Sequence, residues 1–385
     1  MEQLNVYLRL SSHPVFKYLV KYPPEGVKYD VRQKSVNLIS SSGFQKKIKK
    51  AVWKAATKFR PPYVNVDIGK NQMIHSCHGM LIANKDPWVV DVEHAPSFAN
   101  YNASGLEKNW YRNKIIELLA SEHCKKIIPW TQASRKSVES IFKNSGINQK
   151  MEVVYPAIDL KGVKIKKDDS KIKFLVVSRF FYEKGGKQAL EVFEKLNKKY
   201  DVEISVLSIV PDEIKKKYSK FKNISFVEKI FVTSDRPNAI FEDYYSTHHV
   251  LLNLTFADTF GLASLEAMSC KMPIIGTDMF SMPEIIENGK NGFTVKSPIT
   301  CLNPDFSIKY SSHFKNMDGF MGKIMARQEK FVSDAARKAS MLIEDSKLRN
   351  KMGAYGRKLV ESGKFSIKGR NKKLGKIYEE VLGGR

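Results

Sequence analysis

One stretch of the sequence, LLNLTFADTFGLASLEAMSCKMPIIGTDMFSMPEII at 251–286, constrains the fold more than any other. An apolar run of strand length at 249–254 ends in a polar loop, and LASLEAMSC then offers good helix formers without Pro or Gly. A second short apolar run follows at 273–276. This order predicts a pair of parallel strands, because such strands need a long crossover connection, usually a helix. Parallel sheets bind ligands beyond the carboxyl ends of their strands.

The loop between the first strand and the helix lies at such a carboxyl end. Gly261 allows the backbone to approach a ligand, and the free amides at the start of the helix predict an anion site that needs no side chain. Asp258 lies in the loop and Glu266 just over one turn into the helix, so both carboxylates can face one ligand and hold sugar hydroxyls. The residues predicted to bind this ligand are Asp258, Thr259, Phe260, Gly261, Leu262 and Glu266.

This segment resembles the GT4 family of retaining glycosyltransferases, which have the GT-B fold and two acidic residues separated by seven others. Asp258 stands where the family usually has Glu. The likeness continues through Phe260-Gly261, 265–268, 273–275 and 283–286. Lys271 replaces a customary Gly and Phe280-Ser281 a customary Gly-Gly, so the resemblance implies a shifted sugar preference. The alternative is an ordinary amphipathic helix with surface acids.

A second motif, KIKFLVVSRFFYEKGGKQALEVFEKL, lies about eighty residues upstream. An apolar strand at 174–177 leads to Arg179, a loop with Lys184, and a helix from Gln188. The resemblance implies that Arg179 and Lys184 bind the donor diphosphate. The chemistry agrees, because negative charge grows on the leaving phosphate and fixed cations stabilise it without a metal. The alternative is two surface cations in a chain rich in them.

The composition sets the outer limits. A chain of 385 residues should form about two domains, and 42% hydrophobic content is normal for a globular protein. The four cysteines, at 77, 124, 270 and 301, lack the paired spacing of a zinc site or disulfide framework and suit a reducing cytoplasm. The N-terminus lacks a signal-peptide pattern and no run approaches membrane-spanning length, so we expect a cytoplasmic protein.

The formal charge of +25 suits nucleic acid, anionic lipid or simple solubility. Its sharpest concentration is GFQKKIKKAVWKAATKFR at 43–60, with apolar residues at helical spacing and Trp53 among the lysines of the other face. Such a face is typical of interfacial membrane helices. We hypothesise docking on the inner membrane surface through Lys46, Lys47, Lys49, Lys50 and Trp53; the alternative is a solvated basic helix. No usual nucleic-acid motif accompanies the charge, and a nucleic-acid partner is not expected.

The whole chain predicts two α/β halves. Strands alternate with helices, which favours parallel, doubly wound sheets. Together with the resemblance, this gives a GT-B protein with two Rossmann-like domains facing a central cleft: an acceptor-side domain at 1–160, a nucleotide-sugar domain at 161–365, and a helix at 366–385 that crosses back. The predicted strands are 5–10, 72–75, 88–92, 126–130 and 153–155 in the first half, and 172–177, 203–209, 224–228, 249–254 and 273–277 in the second.

The first half offers several polar residues at predicted strand ends. His94 follows the strand at 88–92, and the resemblance implies that it reaches across the cleft to the donor sugar. A buried His with backbone partners is the alternative. His75 and His78 lie at another strand end and could line the acceptor side, and Ser11 and Ser12 occupy the place of the family's glycine-rich turn.

Asp91-Val92-Glu93 resembles the acidic pair by which the other glycosyltransferase fold holds a divalent metal. We nevertheless predict a metal-independent enzyme without a cofactor, because Arg179 and Lys184 would already neutralise the phosphate. No protein nucleophile is evident, so retention by front-face attack is favoured, with His94, Asp258, Arg179 and Lys184 in catalytic roles. The predicted substrates are a nucleoside-diphosphate sugar and a glycan or lipid-linked acceptor. A GT-B sugar-nucleotide epimerase and a non-catalytic sugar-nucleotide or lipid-binding module are the alternatives.

Overall fold

A computed structural model describes residues 3–31, 59–69, 72–160, 162, 164–228, 238–303, 306 and 317–383. The predicted basic helix lies outside these residues apart from Phe59 and Arg60, so docking through Lys46, Lys47, Lys49, Lys50 and Trp53 stays a prediction. Within the described ranges no helix combines the length and the apolar character needed to cross a membrane.

The described residues fall into two compact units. The first unit lies within Met1–Pro156, Leu302–Lys315 and Lys368–Arg385, and the second within Ala157–Cys301 and Asn316–Ile367. Each unit has its own parallel sheet.

The sheet of the first unit has the order β2-β1-β4-β6-β7. Its core holds Trp88, Val90 and Val92 of strand β6, and every residue of this strand is buried, as expected for a strand covered on both faces. A separate parallel pair joins β3 to β5. The strands of this unit are β1 (Leu4–Arg9), β2 (Val27–Asp30), β3 (Tyr63–Val64), β4 (Met73–Ser76), β5 (Leu81–Ile82), β6 (Trp88–Val92) and β7 (Cys124–Pro129).

Four of the five strands predicted in this half are confirmed within two residues, and the short strands β2, β3 and β5 were not predicted. The strand predicted at 153–155 is wrong. Its backbone passes beside the end of β7, where the Val154 amide donates to the carbonyl of Pro129 at 3.1 Å. Pro129 has no N–H with which to continue the ladder, so the segment does not become a sixth strand of this sheet.

The sheet of the second unit has the order β10-β9-β8-β11-β12-β13, and all its pairs are parallel. The five predicted strands are confirmed, and β13 was missed because it is a short GFTV segment. The chain proceeds from β8 outwards on one side and from β11 outwards on the other. The switch point of the topology therefore lies between these two strands, where open parallel sheets bind ligands. The strands are β8 (Ile172–Phe180), β9 (Val202–Ile209), β10 (Ile224–Val227), β11 (Val250–Asn253), β12 (Ile274–Thr277) and β13 (Gly292–Val295).

Helices cover both sheets. In the first unit they are α1 (Val15–Lys21), α2 (Ala103–Leu106), α3 (Asn109–Ala120), α4 (Gln132–Ile141) and, at the end of the chain, α12 (Ile367–Gly383). In the second unit they are α5 (Gly186–Asn197), α6 (Asp212–Tyr218), α7 (Leu262–Ser269), α8 (Met282–Ile285), α9 (Met317–Met325), α10 (Glu329–Glu344) and α11 (Ser346–Glu361). Shorter 3₁₀ turns lie at Ala95–Ala99 and Ile147–Lys150, and a π-helical segment at Ile240–Tyr245.

Helix α7 ends in a Schellman motif with Lys271 in the left-handed conformation, at φ +54°. The Lys271 amide donates to the Met268 carbonyl at 3.0 Å, and the Met272 amide donates to the Ala267 carbonyl at 3.0 Å. Gly usually occupies this position because other residues bring their Cβ close to the backbone there. Lys271, which replaces a customary Gly, therefore keeps the backbone geometry of the motif at the cost of a strained side chain.

Replacing Lys271 by Gly should raise the free energy of unfolding of the second unit by about 1 kcal/mol, because the left-handed penalty disappears. Calorimetry or circular dichroism during thermal unfolding measures the change. Lys271→Ala is the matched control, since Ala keeps the penalty and should bring no gain. Equal stability of the Gly and Ala variants would contradict the explanation.

Candidate donor site in the second unit

The loop between β8 and α5 carries the two predicted phosphate-binding cations. Strand β8 runs further than predicted and includes Arg179, which is exposed and makes no hydrogen bond or ion pair with any described residue. Gly185, at φ +74°, precedes the first residue of α5, and a Cβ there would lie 2.0 Å from the carbonyl oxygen of Leu254. A glycine is therefore required where this loop meets the end of β11.

The two loops at the switch point are joined by direct bonds. The Phe256 amide, just beyond β11, donates to the Glu183 carbonyl at 2.8 Å. Lys184, the residue after Glu183, pairs with Asp258 of the other loop, with 2.8 Å between Nζ and Oδ2. Their side chains are 23% and 17% exposed, so the pair lies at the surface end of the sheet, where a ligand can reach it. The structure thus brings together two motifs that are far apart in the sequence.

Asp258 also shapes the start of α7. Its Oδ1 accepts hydrogen bonds from the amides of Gly261 at 3.1 Å and Phe260 at 3.4 Å. Gly261 has φ +73° and caps the helix, so the predicted need for Gly is met by a left-handed backbone. The Phe260 side chain is 2% exposed and packs edge-to-face against Phe365, which leaves its backbone as the part that faces the loop.

Glu266, on the first turns of α7, is held by a residue that the sequence did not reveal. The hydroxyl of Tyr245 donates to Glu266 Oε2 at 2.8 Å. Tyr245 is fully buried at the end of the π-helical segment, a conformation often found at functional sites. Asn253 at the end of β11 donates to Ser264 Oγ at 3.0 Å, which ties the helix to its strand. No pattern around Tyr245 signalled these contacts.

The loop after β12 lies against the loop that carries Asp258. The Ser281 hydroxyl donates to the Thr259 carbonyl at 2.5 Å, and its neighbour Phe280 has φ +46°. A left-handed Phe is strained, and strain of this kind concentrates at functional sites. Both departures from customary glycines, Lys271 and Phe280, thus keep the backbone that glycine would adopt.

Cys301 lies within electrostatic range of the Lys184–Asp258 pair. Burial raises the pKa of its thiol to about 11, with a smaller lowering by Lys184 and a smaller raising by Asp258. The cysteines at 77, 124 and 270 are buried, whereas Cys301 is half-buried, and all four thiols are free.

In the first unit, His75 and Asp91 form a buried network. The two ring nitrogens of His75 bond the hydroxyl of Tyr378 on α12 at 2.6 Å and Asp91 Oδ2 at 3.0 Å. The other oxygen of Asp91 accepts from Trp130 Nε1 at 2.8 Å and from the His78 amide at 3.0 Å. Both nitrogens of His75, proposed above as an acceptor contact, are thus occupied inside the unit.

His78 and Glu93 form a second network next to the first. His78 Nε2 lies 3.2 Å from Glu93, whose carboxylate also accepts a hydrogen bond from the hydroxyl of Tyr101. Burial lowers the pKa of His78, but the hydrogen bond and the charge of Glu93 raise it by more. The pKa of His78 therefore lies above its ordinary value. For Glu93 the directions are reversed. Burial raises the pKa of its carboxyl group, but the hydrogen bond and the charge of His78 outweigh burial and hold the pKa well below its usual range. Ser11 Oγ lies 3.4 Å from His78 Nδ1, whereas Ser12 is exposed.

His94 lies at the end of β6, immediately before the 3₁₀ turn at Ala95–Ala99. Its Nδ1 is 3.0 Å from Ser97 Oγ, and its ring packs edge-to-face against Tyr101. Burial lowers the pKa of His94, so the neutral imidazole is favoured at neutral pH. A neutral ring can donate one hydrogen bond and accept another.

The acidic pair Asp91 and Glu93 is buried, each side chain bonding to protein donors as described above. His75, Cys77 and Asp91 also bring one ligand atom each to within 4.8 Å of one another. The nitrogens of His75 and both oxygens of Asp91 already serve hydrogen bonds, and burial raises the pKa of the Cys77 thiol. These groups fit a hydrogen-bonded core better than a metal centre, which needs deprotonated ligands free to bind.

Comparisons with known proteins bear on the second unit, which carries these residues. A family model described as Glycosyl transferases group 1 matches residues 159–301, which include Arg179, Lys184, Asp258 and Glu266. This part of the chain is similar to the group 1 glycosyl transferases.

Two curated relatives and one solved structure illustrate the likeness. An "Uncharacterized 41.2 kDa protein in cps region" of Klebsiella pneumoniae is 29% identical over 184 residues, which cover 45% of this chain and 49% of that protein. The N-acetyl-alpha-D-glucosaminyl L-malate synthase of Bacillus anthracis is 25% identical over 157 residues, or 38% of this chain and 40% of that protein. The chain thus spans less than half the length of these relatives. Anabaena HepE in complex with UDP is 13% identical, with a TM-score of 0.56 over 98% of this chain and 100% of that chain. With the two parallel sheets, this likeness shows the GT-B fold.

Proposed function

We propose that the protein is a retaining glycosyltransferase that moves a sugar from a nucleoside-diphosphate sugar to a glycan or lipid-linked acceptor. The observation that carries the proposal is the pairing of Lys184 with Asp258 at the switch point of the second sheet, inside the segment that matches the family. Arg179 lies near the carboxyl end of β8, the strand that leads to Lys184. The Arg179 guanidinium is exposed and has no partner among the described residues, and such a group and a helix start both favour a negatively charged ligand such as a diphosphate.

The proposed chemistry follows from these groups. Arg179 offers a planar fork and Lys184 a point charge to the diphosphate, and both stabilise the charge that grows on it as the glycosidic bond breaks. Glu266, oriented by Tyr245, accepts hydrogen bonds from the ribose hydroxyls. The departing phosphate oxygen takes the proton of the acceptor hydroxyl on the same face, so the anomeric configuration is retained.

The first unit is proposed to supply the acceptor contacts through Ser11, Ser12 and His78, and His94 is proposed to hydrogen-bond the donor sugar as a neutral imidazole. Metal independence is part of the proposal. It is supported by the use of Asp91 and Glu93 in internal hydrogen bonds and by the cations of the second unit.

A panel of UDP-, GDP- and ADP-sugars tests the proposal. One donor class should raise the melting temperature and release its nucleoside diphosphate, by slow hydrolysis or by transfer to added glycans, and EDTA should leave the rate within about twofold. Conversion to an epimeric sugar nucleotide would indicate the epimerase, and protection without turnover would indicate a binding module. If none of the donors raised the melting temperature, the proposed sugar-nucleotide donor would be contradicted. If EDTA abolished activity and manganese restored it, the proposed metal independence would be contradicted.

A further inference from the structure

The Asp258 carboxylate has partners on both of its oxygens. Oδ2 pairs with Lys184 Nζ at 2.8 Å, and Oδ1 accepts from the amides of Gly261 and Phe260 at 3.1 and 3.4 Å. The carboxylate therefore lies between Lys184, which the proposed function assigns to the donor diphosphate, and the amides at the start of α7, where the sequence predicts an anion site.

The length of the side chain explains this arrangement. Asp and Asn bond the amides two and three residues further along the chain, in the local turn that their short side chains favour. Glu is one methylene longer and does not close this turn. The Asp at position 258, where the family usually has Glu, thus allows one carboxylate to fix the loop and hold the lysine at once.

We infer that Asp258 is a positioning residue that holds Lys184 in the resting site and yields it to the diphosphate when a donor binds. The inference rests on the proposed function, since it needs a diphosphate at Lys184. The pair is partly exposed, and pairs of this kind contribute little stability, so a ligand with two or more negative charges can displace the carboxylate. Oδ2 of Asp258, which no longer pairs with Lys184, is then free to accept a hydrogen bond from the donor.

Two variants separate the two roles of the Asp258 carboxylate, which are to pair with Lys184 and to accept hydrogen bonds from the loop amides. Asp258→Asn keeps an oxygen for the Gly261 and Phe260 amides but removes the charge that holds Lys184. Asp258→Glu keeps the charge but loses the turn. If Asp258 competes with the ligand for Lys184, Asp258→Asn should bind UDP, GDP or ADP about two- to fivefold more tightly than the wild type, the size of a partly exposed ion pair. Asp258→Glu, which keeps the charge, should show no such gain in affinity.

A double-mutant cycle with Lys184→Met makes the test specific. Affinities for UDP, GDP and ADP are measured by calorimetry, and by saturation-transfer NMR where dissociation constants reach the millimolar range. The gain from Asp258→Asn should vanish in the Lys184→Met background, because coupled residues are not additive. An equal gain in both backgrounds would mean that Asp258 merely repels the ligand, and no gain in either would mean that it does not hold Lys184. Either result overturns the inference.

The proposed function is judged separately by the wild type. Binding of at least one of the three nucleotides to the wild-type protein, with no change in Asp258→Asn, leaves the proposed function standing and removes the inference. Binding of none of them removes both.

Discussion

Replacing Lys184 by Ala should lower kcat/KM for sugar transfer by about 30- to 1000-fold. The lysine lies at the switch point beside the start of α7, where charge on the departing diphosphate would develop. Removing one preorganised group of this kind costs about 2–4 kcal/mol of transition-state stabilisation, and each 1.36 kcal/mol is a factor of ten. Steady-state rates with the donor identified by the sugar-nucleotide panel provide the measurement.

Lys187→Ala is the matched control for this prediction. Lys187 lies three residues along the chain, on α5, and is also partly buried and paired with an acid, Glu191, at 2.9 Å. Its removal changes the net charge as much as the loss of Lys184 but should leave kcat/KM within about twofold. Full turnover by Lys184→Ala, or equal losses in the two variants, would show that Lys184 does not act on the diphosphate.

Replacing Glu93 by Gln should lower the free energy of unfolding of the first unit by about 3 kcal/mol near pH 6. Glu93 is 5% exposed and bonds both His78 and Tyr101. Removing one partner of a buried pair leaves the other charge without compensation, which typically costs about 3–5 kcal/mol, and the retained amide hydrogen bond places Gln at the lower end.

The loss should depend on pH in a defined direction. The folded-state pKa of His78 is raised above its ordinary 6.5, so its contribution to stability is complete below pH 6.5 and is lost as the pH rises through the raised value. The folded-state pKa of Glu93 is lowered from its ordinary 4.5, so its contribution is complete above pH 4.5 and is lost in strong acid. The difference between wild type and Glu93→Gln should therefore be largest between pH 4.5 and 6.5 and smaller at pH 8 and above.

Tryptophan fluorescence in urea measures this unit selectively, because the tryptophans at 53, 88, 110 and 130 all fall within Met1–Pro156. Trp130 also stacks on His78, with 5.8 Å between ring centroids. Glu139→Gln is the control, since Glu139 forms a partly exposed helical pair with Arg135 and its loss should cost less than about 1 kcal/mol. A pH-independent loss in Glu93→Gln, or a loss as small as that of the control, would contradict the predicted pair.

The second sheet was largely predictable from the sequence, because its strands are short apolar runs separated by longer polar or helical segments. The pairing of Lys184 with Asp258 follows once β8 and β11 are neighbours, since each residue lies just beyond the end of its strand. The unusual residues Lys271 and Phe280 were also informative, because a customary glycine signals a left-handed backbone that the structure retains.

Contacts between distant parts of the chain were not predictable. Tyr378 reaches His75 across 303 positions, and Tyr245 reaches Glu266 from a π-helical segment without a sequence signature. The environment of Glu93 depends on His78 and Tyr101, each of which has a left-handed backbone, at φ +64° and +62°. Hydrophobic pattern and helix or strand propensity do not encode such side-chain geometry. The buried network of Glu93, His78 and Tyr101 could therefore be recognised only from the structure.

A crystal structure of the protein soaked with UDP, GDP or ADP tests the proposed diphosphate site. We expect the diphosphate at the switch point between β8 and β11, with its oxygens within hydrogen-bond distance of Arg179 and Lys184, and the Lys184–Asp258 bond broken. A nucleotide bound elsewhere, or a diphosphate that leaves Arg179 and Lys184 without contact, would contradict it.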